Sequence, residues 1–210
     1  MGLIRLLLSD PAAFFMLAGP LLFSVILHEV AHGWVAYKMG DPTAKALGRL
    51  TLNPLKHLDP LGSLLLLVVG FGWAKPVPIN LGNIPPPQRR TGLILVSAAG
   101  IAANILIAFG ALLFWRLLSP KPDGLMEQVL MRLSSINIML AAFNLIPIPP
   151  LDGSKILMGF APMSFNRLLH RIEPYGFMIV MGLLFLGVLD PVIRLFQYGI
   201  ISFISLFFRS

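Results

Sequence analysis

From Thr91 to Trp115 the chain carries no charged side chain. A helix of that length rises far enough to cross the roughly 30 Å hydrocarbon core of a bilayer. Such a run has few places to go in water, so it restricts the fold before any motif is considered. The rest of the chain agrees with it. Of 210 residues, 57% are hydrophobic and only 12% charged, where a soluble domain usually has about 25% charged. Too few charged groups remain to cover a water-facing surface. The sequence therefore reads as an all-α polytopic membrane protein, with residues 1–210 forming a single membrane-embedded domain.

Further apolar runs extend the pattern. Pro11 to Tyr37 is long enough to span, and so is Leu125 to Leu145. Tyr175 to Leu189 makes another span, and Leu195 to Phe208 a shorter one that either spans or lies along the interface. Leu61 to Trp73 is about half a span, which fits a short helix or a re-entrant segment. Five or six transmembrane or re-entrant helices are expected. Two stretches break the pattern. Thr43 to Asp59 mixes basic residues with Gly48, Asn53 and Pro54, and Ala74 to Pro87 carries five prolines. Prolines exclude a regular helix there, so a small extended or β segment at one membrane face is expected.

With no cysteine, neither a disulfide framework nor a cysteine metal site is possible. The net charge of +7 does not point to nucleic acid, because the basic residues are scattered between apolar runs; membrane topology and anionic headgroups account for them. If the spans alternate, Lys38, Lys45, Arg49, Lys56, Lys75, Arg89, Arg90, Lys155, Arg167 and Arg171 share one face. Arg5, Arg116, Lys121, Arg132 and Arg194 fall on the other. The positive-inside bias makes the richer face cytoplasmic. Met1 to Asp10 has one basic residue and no small-residue cleavage site, so no removable signal peptide is expected.

The chemistry is concentrated in His28-Glu29-Val30-Ala31-His32, placed directly after the apolar Phe23 to Leu27. On a helix, positions i and i+4 share a face one turn apart. Two imidazoles can then bind one Zn²⁺ while the intervening glutamate reaches a metal-bound water. A bare HExxH string arises by chance. Three ionisable residues inside one bilayer-crossing helix are another matter, since a central charge costs about 2.5–3.5 kcal/mol to insert on the mildest scale. A catalytic zinc also needs a third protein ligand. Most acids lie beside expected helix ends, where a solvated charge or a cap explains them. Asp152 follows an apolar run and Pro147, Pro149 and Pro150. Two readings stand for it: a cap for the segment Ser154 to Met158, or a carboxylate brought to the metal from a second helix.

Together these residues resemble the site-2 protease family of intramembrane metalloproteases. Asn144 to Gly153 looks like that family's later Asp-Gly ligand motif. Gly72-Trp-Ala-Lys-Pro-Val-Pro-Ile-Asn80 and Ser97-Ala-Ala-Gly-Ile-Ala-Ala-Asn104 resemble two further family segments, with order and spacing kept from about residue 20 to 160. The resemblance implies His28, His32 and Asp152 as ligands of one Zn²⁺ per chain and Glu29 as general base. It places Asn104 and Asn144 near the active site, in contact with substrate. Asn104 has an alternative role, bonding a neighbouring helix, and Asn144 another, bonding backbone freed by Pro147. His57 reads as an ordinary loop histidine, and nothing in the sequence gives His170 a function.

The implied activity is hydrolysis of peptide bonds within or near transmembrane segments of other membrane proteins, in a prokaryotic cell membrane, at a site nearer the cytoplasmic face. The chain would be a minimal core without a PDZ or regulatory domain. An extended substrate could pair with Ala74 to Asn80 by strand addition. The competing reading is a zinc-binding membrane protein or transporter without protease activity. A transporter should carry ionisable ligands on several spans, whereas here the acids inside apolar runs reduce to Glu29 and Asp152.

Overall fold

A computed structural model describes residues 3–208 apart from Phe71. A short helix, α1 (Leu3–Ser9), leads into α2 (Pro11–Lys38), which starts where the Asp10 side chain accepts from Ala13 N at 2.9 Å. After a short α3 (Thr43–Ala46), α4 (Pro60–Val69) begins at Asp59, whose carboxylate caps Gly62 N. It ends at Gly70, whose φ of 86° is the left-handed stop that glycine permits. A long α5 (Arg89–Leu118) and its neighbour α6 (Leu125–Asn144) follow. Beyond a proline-rich break come α7 (Asp152–Phe160), α8 (Met163–Ile172), α9 (Gly176–Phe185) and α10 (Asp190–Ser205).

The helix α5 packs against α2, α6 and α7, so elements far apart in sequence meet along it. Close approach is possible because small residues sit at the contacts: Ala108 on α5 and Ala141 and Ala142 on α6 are fully buried. Ile138, Ile146, Leu151, Val180, Ile193 and Ile200 complete one apolar core. Large apolar side chains also face outward. Phe185 is 84% and Leu106 68% exposed, which suits lipid and would be a liability in water.

Among the described residues four segments are long and apolar enough to cross a membrane: Pro11–Lys38, Pro86–Leu118, Met163–Phe185 and Asp190–Phe208. Two of the segments expected from sequence fall outside this set for different reasons. Helix α4 is only 10 residues, a rise of about 15 Å. Helix α6 is long enough, but Glu127, Gln128, Arg132 and Asn137 dilute its apolar content. The last two spans are longer than read, since one takes in α8 and the other begins at Asp190.

The stretch after α4 is extended, but no strand forms among the described residues. Pairing stops at one isolated antiparallel bridge, Leu58 with Ala74. Pro76 and Pro78 have no N–H to give a ladder, which weakens pairing here and suits the stretch only to an edge.

Candidate metal centre

His28 and His32 lie on consecutive turns of α2, 7% and 6% exposed, with their Nε2 atoms 3.0 Å apart. Asp152 Oδ2 completes a triangle, 3.2 Å from His28 Nε2 and 3.0 Å from His32 Nε2. The rings are held from behind. His32 Nδ1 is 2.6 Å from the Val96 carbonyl, and His28 Nδ1 is 2.6 Å from Asn104 Oδ1, both on α5. A carbonyl can only accept, so in the neutral ring the His32 proton sits on Nδ1 and its Nε2 presents a lone pair.

That nitrogen, the Nε2 of His28 and a carboxylate oxygen face one another. Asp152 Oδ2 is buried and receives no hydrogen bond. Leaving a buried polar atom unmet costs about 1–3 kcal/mol, and here three acceptors converge on one point. A cation relieves the conflict. Two imidazoles and a carboxylate form the donor set of a catalytic zinc, with a fourth position left for water or substrate. The residues present thus fit the ion.

Backbone shape makes the convergence possible. A Cβ on Gly100 of α5 would lie 2.5 Å from both His28 Cε1 and His32 Nε2, so only glycine lets the two rings lie against that helix. On the other side, the chain turns from α6 through Ile146–Leu151 into α7. A Cβ on Gly153 would meet the Leu145 carbonyl oxygen at 2.2 Å, which seats the start of α7 on the end of α6. Asp152 is the first residue of α7, one position past the N-cap Leu151. Its carboxylate faces the histidines, as the second of the two readings of the sequence expects. Lys155 Nζ lies 3.7 Å from the other oxygen, Oδ1.

Glu29 accompanies them into a cavity of about 880 Å³. Its Oε2 accepts the Val77 N–H at 2.7 Å. The extended stretch that supplies Val77 is tied down along its length. Lys75 N donates to the His57 carbonyl, Arg49 donates to the Lys75 carbonyl, and Asn80 N donates to Asp41 Oδ2. Trp73, Val77, Ile79, Leu140 and Phe143 give the cavity apolar walls, with Asn144 and Lys155 as polar points.

Asn144 does reach this cavity, and its Nδ2 donates to Leu140 O. Asn104 is placed differently. It is fully buried behind His28, bonded to it and to Asn137, and does not line the cavity. The bond to another helix that the sequence offered as its alternative role is therefore present. His57 lies away from the centre with Nε2 on the Thr51 carbonyl. His170 lines the cavity and pairs with Glu173 at 3.2 Å, although the sequence gave it no role. Sequence reasoning also missed Ser24 and Asn137, whose signal was present: both are polar residues inside apolar helical runs.

The sequence profile of peptidase family M50 matches residues 119–187, a stretch that contains Asp152. "Putative zinc metalloprotease YwhC" of Bacillus subtilis (strain 168) is 43% identical over 171 residues, covering 78% of this chain and 77% of that protein. "Putative zinc metalloprotease Rip2" of Mycolicibacterium smegmatis is 31% identical over 182 residues, covering 84% and 69%. "Zinc metalloprotease MJ0392" of Methanocaldococcus jannaschii is 26% identical over 204 residues, covering 93% of this chain and 51% of that one. No solved structure matches.

Proposed function

The chain belongs to peptidase family M50, the site-2 protease family, and from that premise we propose that it cuts transmembrane segments of other membrane proteins inside the bilayer. It is a multi-pass membrane zinc metalloprotease. The observation that carries the finer reading is the convergence of His28 Nε2, His32 Nε2 and Asp152 Oδ2 within 3.2 Å of one another.

In this proposal His28, His32 and Asp152 hold one Zn²⁺, and residues 1–210 act as one domain. When bound, zinc supplies a Lewis acid that makes water more acidic and polarises a carbonyl. Glu29 is the general base. Val77 N–H fixes Glu29 Oε2, so the carboxylate is held in one orientation with its other oxygen, Oε1, available to take a proton from water. The same group then carries that proton to the leaving amine.

The apolar walls between Trp73 and Phe143 suit an extended apolar peptide, and the Asn144 amide offers that peptide a polar contact. Pro76 and Pro78 leave this stretch poor in donors, so a substrate strand laid along it is held mainly by its own N–H groups. The basic-residue bias supports the reading that the site lies nearer the cytoplasmic side. A transporter reading would need ligand groups spaced along a path. Among the described residues, histidines and acids converge in one group of three.

The test is cleavage of a single-span substrate co-reconstituted with the purified protein in lipid vesicles. Cuts inside the span, abolished by a zinc chelator and restored by added zinc, are expected. Cleavage confined to soluble loops, or unaffected by the chelator, would overturn the intramembrane assignment.

A further inference from the structure

Behind His28 lies a chain of hydrogen bonds across three helices. His28 Nδ1 is 2.6 Å from Asn104 Oδ1, Asn104 Nδ2 is 2.8 Å from Asn137 Oδ1, and Asn137 Nδ2 is 2.7 Å from Ser24 Oγ. Ser24 Oγ lies 2.6 Å from the Pro20 carbonyl, and Asn137 Nδ2 also reaches the Leu133 carbonyl at 2.7 Å. Ser24, Asn104 and Asn137 are all fully buried.

The direction of every bond follows from the two ends. Backbone carbonyls only accept. The Ser24 hydroxyl proton is therefore given to Pro20 O, and the Asn137 amide must turn its NH₂ toward Leu133 O and Ser24 Oγ. Asn137 Oδ1 then faces α5 and takes a proton from Asn104 Nδ2. That leaves Asn104 Oδ1 facing the imidazole, so His28 can satisfy it only with a proton on Nδ1. In the neutral ring the Nε2 atom is then bare, pointing at His32 and Asp152.

We propose that Ser24, Asn137 and Asn104 are positioning residues for the metal centre, which lock His28 in the tautomer and ring orientation that a metal ligand requires. The proposal rests on the metal-centre reading above and adds to it residues that touch neither metal nor substrate. An outer hydrogen bond to the second ring nitrogen fixes tautomer and orientation, and its loss typically lowers metal affinity or activity about 10–100-fold. The relay has a second consequence. Asn137 belongs to α6, the helix whose end leads through Ile146–Leu151 to Asp152, so His28 on α2 is referenced to the element that delivers the third ligand.

The experiment measures zinc affinity of the full chain in detergent by chelator competition, together with ¹⁵N NMR of the His28 ring in the metal-free protein. Asn104→Leu and Asn137→Leu are each expected to weaken zinc binding about 10–100-fold. Asn104→Asp should stay close to wild type, because a neutral carboxyl can accept from His28 and donate to Asn137. The double variant Asn104→Leu/Asn137→Leu should bind no more weakly than Asn104→Leu alone, since Asn137 acts through Asn104. The ring proton should sit on Nδ1 in wild type and be redistributed in Asn137→Leu.

Wild-type affinity in Asn137→Leu, or losses that add in the double variant, would overturn the relay. Should Asn137→Leu fail to fold, the comparison of Asn104→Asp with Asn104→Leu decides, and equal affinities contradict the proposal. If wild type binds no zinc, or His28→Ala still binds it, the metal-centre reading fails instead. The ring-proton measurement then still tests the relay.

Discussion

Val77 donates its backbone N–H to the Glu29 carboxylate at 2.7 Å, across 48 positions of sequence. The proposed base is thus held by an extended strap as well as by its own helix. A glutamine at this position keeps an oxygen for that N–H but cannot take up a proton from water. Glu29→Gln should therefore fold normally, bind zinc as wild type does, and lose cleavage by about 10²–10⁴-fold. Metal analysis beside a vesicle cleavage assay checks both halves. Cleavage at the wild-type rate would remove Glu29 from the chemistry.

Gly100 packs against both imidazoles, with 2.5 Å between its would-be Cβ and the nearest ring atoms. Gly100→Ala should cost about 1–3 kcal/mol through overpacking and weaken zinc binding at the same time. Gly110 lies on the same helix with nothing within 4 Å of its would-be Cβ. Gly110→Ala should leave zinc affinity unchanged. Thermal unfolding and metal titration of the pair separate a local clash from a general effect on α5.

Asp41, just beyond α2, anchors the far end of the strap. Burial pushes its carboxyl up, but hydrogen bonds from the Thr43 hydroxyl, Asn80 N, Asn83 Nδ2 and Thr43 N outweigh this and hold it below the ordinary value. A carboxylate lowered in the folded state stabilises at pH above its unfolded pKa of about 3.9. That stability is lost as pH falls through the folded value. Acidification through this window should lower the melting temperature of wild type more than that of Asp41→Asn. Equal acid sensitivity in the two proteins would show that Asp41 contributes nothing of this kind.

The shared face of His28 and His32 was legible because a helix converts spacing i, i+4 into one side, and Glu29 drew notice with them because ionisable residues stand out in an apolar run. Asp152 was legible only as a choice, since a carboxylate after three prolines can cap a helix or leave it. The direction its carboxylate takes goes with the seat of Gly153 on the Leu145 carbonyl, a contact that spacing does not encode. The relay through Ser24 and Asn137 was hidden for the same reason. Its polar members were visible singly, but the packing of α2, α5 and α6 brings them together. That no strand forms around Pro76 and Pro78 among the described residues could have been anticipated, because two missing N–H groups weaken a ladder and confine such a stretch to a sheet edge. The number of spans was harder. α6 is long enough to cross but polar enough to need the shelter of α2, α5 and α10, and that shelter is a property of the assembled fold.

The central claim is that His28, His32 and Asp152 hold one zinc ion. Metal analysis of the detergent-purified wild type beside Asp152→Ala tests it most directly. One zinc per chain in wild type and a large loss in Asp152→Ala, with helical content unchanged, is the expected result. A folded wild-type protein without zinc, or Asp152→Ala retaining a full equivalent, would contradict it.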